Sequence, residues 1–207
     1  MDDSSLPALF ARSVKDVPLT GPTVYRNGTF DTAAETDVNT IRELRGGKTR
    51  TKALIIDSES LSTGRFNPAL VASVKISGCD VWLAESISDY GDLTDAFLGS
   101  MRKLVIPVHH LRGISLKDVN EVSDSCIPLI AVAKGRPLTG KDLISEIDRA
   151  HSADFPNIIV MDYDGTADLE SLRYASGEYH GLCVFSPARK VDFAPVSFEP
   201  IGPYTVC

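Results

Sequence analysis

A basic excess is missing from this chain. Its 207 residues carry 21 Lys and Arg against 28 Asp and Glu, a formal charge of −7. A surface built to neutralise nucleic-acid phosphates needs the opposite balance, so no nucleic-acid partner is expected. Long apolar runs are missing too. No stretch approaches the roughly 20 residues of a membrane span, and no membrane partner is expected. The start, "MDDSSLPALFARS", is acidic and has no extended apolar core, so it does not read as a secretory signal. Cysteine is scarce: Cys79, Cys126, Cys183 and Cys207 form no CxxC pair. Three of them lie in or beside apolar segments and read as small buried hydrophobes, in a reduced, cytoplasmic setting. No GxGxxG or Walker loop follows any apolar run, which lowers the dinucleotide and nucleoside-triphosphate readings. Of four histidines, two are adjacent, and none forms an HxxxH or HxH arrangement, so no metal is assigned.

What is present is a repeat. Short apolar runs alternate with segments of helical period. The runs are "KALIID" (52–57), "DVWLA" (80–84), "KLVIPV" (103–108), "IPLIAVA" (127–133), "NIIVMD" (157–162) and "GLCVF" (181–185). They lack polar alternation, the mark of strands buried on both faces by flanking helices. Between them lie helix starts. Asn67 and Pro68 suit an N-cap and first helical position, and Ser115 with Asp118 has capping-box spacing. Thr139 with Asp142 has the same spacing ahead of Leu143, Ile144 and Ile147 on one face. Further helices are expected around Leu93, Ala96 and Phe97, and around Leu169 and Leu172. Upstream, 32–47 reads as a capped helix ending at Gly46 and Gly47, and "TVYRNGTF" (23–30) as a hairpin turning at Asn27-Gly28. The tail "VSFEPIGPYTVC" offers one more strand.

Six to eight strand–helix units predict an α/β fold in a single domain over 1–207, with irregular ends at 1–30 and 193–207. The candidates are a (β/α) barrel of the TIM type and an open doubly wound sheet. "LFARSVKDVPL" makes a poor first strand, so the barrel is expected to be incomplete or open. An open edge would invite pairing with a second copy, hence a homo-oligomer.

The order of these segments from about 52 to 192 resembles the HisA/HisF-like barrel isomerases of histidine biosynthesis, especially their divergent archaeal relatives. "LIIDSESL" is similar to the family's second strand, and "DVWLAESISDYGDL" to its third strand and "SxED" helix start. "KLVIPVHHL" stands where the family reads roughly "VVVGTET", and "PLIAVAKGRPL" where it reads "VSIDxKxGxVL". "NIIVMDYDGTADLESL" corresponds to the "DxxxDG" sixth strand, and "CVFSPARKVDF" to "VGGGVRDxED". The resemblance implies a TIM barrel in which acids on the first and fifth strands rearrange an aminoaldose, with glycine loops holding phosphate. The chain departs at those sites. Ala131 replaces the fifth-strand acid, and only Asp16 stands near the first. Ala84, Glu85 and Ser86 replace the third-strand glycines; Phe185, Ser186 and Pro187 replace the seventh. Proline offers no N–H, and a glutamate repels phosphate.

On a barrel, strand C-termini face the ligand. The candidates there are Asp57, His109, His110, Asp162 and Asp164 for proton transfer, and Glu85, Lys134 and Arg189 for ligand binding; Glu59 is nearby. The plainer readings are equally physical. Strand-end acids cap the next helix, Lys134 and Arg136 sit in a solvated turn at Gly135 and Pro137, and neighbouring histidines on an extended segment point apart. His151 and His180 read as surface groups. Two functions follow. One is a phosphoribosyl-isomerase-like barrel doing acid–base chemistry on a small phosphorylated or sugar-like metabolite, without a cofactor. The other is a catalytically silent barrel acting as a binding or assembly subunit.

Overall fold

The computed structural model describes residues 5–11, 19–20, 23–26, 29–32, 35–36, 51–73, 79–99, 101–186, 188, 196–200 and 204–206. Its framework is a curled, mainly parallel sheet alternating with helices. After β1 (Ser5–Ala11) come four short strands: β2 (Leu19–Thr20), β3 (Thr23–Arg26), β4 (Thr29–Thr32) and β5 (Glu35–Thr36). Then β6 (Thr51–Asp57) leads to α1 (Ser58–Thr63) and α2 (Pro68–Ser73). The alternation continues with β7 (Cys79–Ala84), α3 (Tyr90–Leu98), β8 (Lys103–Pro107), α4 (Leu116–Val122) and β9 (Cys126–Ala133). A small β10 (Arg136–Pro137) precedes α5 (Leu143–His151), β11 (Ile158–Asp162), α6 (Leu169–Glu178) and β12 (Leu182–Phe185). The chain ends with β13 (Val196–Pro200) and β14 (Tyr204–Val206).

All six apolar runs are strands, paired in parallel in the order β6, β7, β8, β9, β11, β12. β1 supplies the strand that the sequence left unplaced. It pairs in parallel with β6 on one side (Ala8 opposite Leu54) and with β13 on the other (Ser5 opposite Ser197). The run "SLPALFA" is short and carries a proline, so its extended form follows from these two neighbours rather than from its own pattern. Both stretches read as irregular, 1–30 and 193–207, contribute strands. β3 and β4 pair antiparallel, as the expected hairpin requires, while its turn residues Asn27 and Gly28 lie outside the described residues; β14 joins the pair in a separate three-stranded sheet.

Two apolar layers line the sheet. The inner one holds Leu54, Ile56, Ala84, Val105, Ile127, Leu129, Ala131, Ile159, Met161, Tyr163, Cys183 and Phe185. These are alternate residues on successive strands, as a two-residue period requires. The residues between them, such as Leu104, Ile106, Ile130, Val132, Val160 and Val184, pack on the helices through Leu93, Val119, Ile147, Leu172 and their neighbours. Both layers are sealed, which explains why the strands read as unbroken apolar runs.

Caps set the helix starts. Asn67 Oδ1 accepts from Leu70 N at 3.2 Å ahead of Pro68, and Ser115 with Asp118 forms the expected capping box. The pairing of Thr139 with Asp142 does not form. Asp142 is itself the N-cap of α5, accepting from Ser145 N at 3.1 Å. Gly140, between the two, has φ 78°, a left-handed backbone through which a helix starting at Thr139 could not run, so the helix starts three residues later than the spacing suggested. The helix read over 32–47 is corrected at its start, where Glu35–Thr36 pairs antiparallel with β2; residues 37–50 lie outside the described residues. Among the described residues, no helix is long and apolar enough to cross a membrane.

Candidate functional site

The C-terminal ends of β6, β7 and β8 bring together most of the polar groups singled out above. Asp57 is fully buried and caps α1. Its Oδ1 accepts from Glu59 N and Ser60 N, both at 3.0 Å, and its Oδ2 accepts from Asn67 Nδ2 at 2.9 Å. Asn67 then bridges to the next strand: its backbone N–H donates to Glu85 Oε1 at 3.1 Å. Ser86 N donates to the same oxygen and to Ser60 Oγ, at 3.2 and 2.6 Å. Glu85 is fully buried too, and its Oε2 finds no hydrogen-bond partner among the described residues. Burial, and then the Asp57 carboxylate beside it, hold the Glu85 carboxyl well above the usual range. The sequence marked Asp57 and Glu85 separately. Their joining through Asn67 and Ser60 was missed, and the one local signal was the Asn67-Pro68 helix start.

The parity of the strands decides which way these acids face. Ile56, Ala84, Met161 and Tyr163 belong to the inner layer. Asp57, Glu85 and Asp162, each one residue away, therefore stand on the outer, helix-side parity. Their bonds agree. Asp162 is fully buried, and its Oδ1 accepts from Thr166 N and Ala167 N at 3.0 and 3.1 Å, tying down the loop into α6. The inner positions at the same level carry Ala131, Met161, Tyr163 and Phe185, joined by Leu61 from α1. The expectation that the strand-end acids point together into a barrel mouth is corrected for these three.

His109 and His110 follow β8 in a tight turn, His110 N donating to Pro107 O at 3.0 Å. Their ring centroids are 4.0 Å apart. His110 is buried and His109 partly so, and the Nδ1 of each finds no partner among the described residues. Burial, then the neighbouring ring, lowers His109 to about 3; burial, then Arg112, lowers His110 to about 4. Two neutral imidazoles near physiological pH are poor proton donors. His110 packs over Gly64, whose αL backbone (φ 68°) ends α1; a Cβ there would sit 3.7 Å from His110 Cδ2.

The remaining candidates lie across the sheet. β9 and β10 form a hairpin whose two loop residues, Lys134 and Gly135, both have positive φ (52° and 74°), as a type I′ turn requires. It is the backbone of this turn that binds, not the ammonium. Lys134 N donates to Asp164 Oδ2 at 2.7 Å and Gly135 N to Thr166 Oγ1 at 2.6 Å, while the Lys134 side chain is exposed. Asp164 also accepts from Thr166 Oγ1 at 2.5 Å. Asp164 thus fills, from within the chain, a ring of donors that could have held an external anion. Arg189, Asp16 and Pro187 lie outside the described residues. His151 and His180 are exposed. Among the described residues, no three His, Cys, Asp or Glu side chains are placed to hold a metal ion.

Beside the hairpin is a cleft of about 430 Å³, between β10 and the first turns of α5 and α6. Arg136, from the turn at Gly135 and Pro137, and Lys141 line it. No family model matches this sequence, and no curated protein is significantly similar to it.

Proposed function

We propose that this chain is a (β/α)8 barrel of the HisA/HisF-like kind that has lost the acid–base chemistry of that group and works as a binding or assembly subunit. The parallel strand order with β1 between β6 and β13, and the six resembling segments, support the barrel reading. The observation that carries the function is the division of residues at the strand ends. The buried acids Asp57, Glu85 and Asp162 take the outer parity and accept bonds from backbone N–H groups. Tyr163, Phe185, Ala131 and Leu61 fill the inner positions where reacting groups would stand.

A second reading keeps acid–base catalysis on a sugar-like substrate. One observation favours it: the Glu85 carboxyl, raised well above the usual carboxylate range by burial and lying beside Asp57, is the kind of perturbed acid that acid–base sites use. The two readings separate on turnover. Purified protein incubated with a phosphoribosylated aminoaldose, followed by NMR, should show no rearrangement above buffer. Rearrangement that disappears in Glu85→Gln or Asp57→Asn overturns the silent reading and establishes the second.

A further inference from the structure

The two fully buried acids at the ends of β6 and β7 have four carboxyl oxygens between them. Three of these accept from N–H groups: Asp57 Oδ1 from Glu59 N and Ser60 N, Asp57 Oδ2 from Asn67 Nδ2, and Glu85 Oε1 from Asn67 N and Ser86 N. The fourth, Glu85 Oε2, finds no donor among the described residues. Neither acid makes an ion pair with a Lys, Arg or His among the described residues. The groups that face Glu85 are the Asp57 carboxylate from β6, the Ser60 hydroxyl from α1, Asn67 ahead of α2 and, from β8, the Val105 carbonyl, which accepts from Glu85 N at 3.1 Å. Asp57 is the charged group in that set, and it lies within hydrogen-bonding reach of Glu85. Two ionised carboxylates side by side in a buried place suffer desolvation and mutual repulsion, and one proton relieves both. The oxygen that accepts from nothing is the one free to carry that proton toward its neighbour.

The same residues fasten α1. Asp57 caps its start, and Ser60 Oγ, in its first turn, accepts from Ser86 N at 2.6 Å. Asn67, beyond the helix, holds both acids. Leu61, next to Ser60, is 5% exposed and belongs to the inner layer. A helix of six residues that ends at the left-handed Gly64 has little stability of its own, so its seat depends on such ties.

We propose that Asp57 and Glu85 share one proton, carried on Glu85 Oε2 and donated to Asp57, and that this proton is the fastener of a plug. When it passes to solvent the two carboxylates repel, α1 is released, and Leu61 leaves the inner layer. Access to the interior of the sheet thereby depends on pH. The inference goes beyond the reading of the chain as a silent binding barrel and does not rest on it.

The experiment is NMR of the intact chain, labelled with carbon-13 at the Glu carboxyls and at the Leu, Ile and Val methyls, titrated from pH 5 to 10. Glu85→Gln identifies the Glu85 signal and is the control, because its amide donates where the proton would sit and has no charge to gain. At pH 7 the Glu85 carboxyl is expected at the protonated position. As pH rises it should move to the ionised position, and the Leu61 methyls should shift in the same step. Ile147 and Val184, on the helix side, should hold still through that step. In Glu85→Gln the Leu61 methyls should stay in place throughout. An ionised Glu85 at pH 7 overturns the shared proton. Leu61 methyls that ignore the Glu85 step, or that move equally in Glu85→Gln, overturn the plug. So does a step in which Ile147 and Val184 move as well, since that is global unfolding. A Glu85 that stays protonated to pH 10 also overturns the proposal, because a fastener that is never released is no switch. Should Glu85→Gln fail to fold, the wild-type titration decides alone, with Glu85 assigned through its own backbone amide. Turnover in a separate sample reads on the silent function and alters none of these outcomes.

Discussion

The histidine pair makes a quantitative prediction about pH. His109 and His110 are held neutral by burial, at about 3 and about 4, against an ordinary value of 6.5. The unfolded chain takes up protons as pH falls through 6.5, and the folded chain does not. The stability tied to these rings is therefore complete above 6.5 and is lost as pH falls toward their folded values. A pH of about 5 lies roughly 1.5 units below the ordinary value, so each ring forfeits about 2 kcal/mol there, and the pair about 4 kcal/mol. His109 is only partly buried, which makes its share an upper bound. At roughly 2–4 °C per kcal/mol for a chain of this size, the melting temperature should fall by about 8–16 °C between pH 7 and 5 from the pair alone. The assay is thermal unfolding by circular dichroism across that range, comparing wild type with His109→Asn/His110→Asn. The variant has nothing to protonate at these positions, so the difference between the two should shrink or reverse toward acid. Parallel pH profiles for the two proteins would refute the argument that burial, rather than a salt link or surface position, sets these rings.

Glu85 acts with the opposite sign. Its folded carboxyl keeps a proton that the unfolded chain gives up above about 4.5, so stability falls as pH rises, by about 1.4 kcal/mol per unit until its own folded value is reached. Glu85→Gln should therefore gain on the wild type as pH rises from 5 to 8 in the same melts, and a constant gap would count against the buried-acid reading. Asp57→Ala removes acceptors for two first-turn amides and for Asn67 in a fully buried position. A loss of about 2–4 kcal/mol in urea unfolding is expected, above the ordinary cap value because buried donors are stranded. Phe185→Ala empties part of the inner layer and should cost about 3–5 kcal/mol in the same assay; a loss under about 1 kcal/mol would mean that the interior at this level is not packed. Burial pushes the Cys126 and Cys183 thiols up to about 12. Both should resist a thiol reagent in the native protein and react at once in denaturant, and rapid native labelling of either would contradict their placement.

Much of the fold was legible because it is written locally. Six apolar runs without alternation gave six strands, and Asn67-Pro68 and Ser115 with Asp118 gave helix starts, since capping is settled within four residues. The choice of Asp142 over Thr139 was not legible, because a glycine turn moved the start of α5. Nor was β1, whose short proline-bearing run becomes a strand only when β6 and β13 lie on either side of it. The site was legible as a set of residue types at strand ends and misread in direction. A strand-end acid looks the same in sequence whether it faces the interior or the helices; one residue of parity separates the two, and only the curl of the sheet says which face is inside. Asp57 and Glu85 are 28 positions apart in sequence, and no local pattern joins them. They meet because β6 and β7 are neighbours in parallel register, and the burial that follows is what raises the Glu85 carboxyl. Composition and periodicity thus determined the elements and the range of ionisable groups available. The sheet's curvature and strand order decided which of those groups became caps, which were sealed inside, and which, like Arg136, stand exposed beside a cleft.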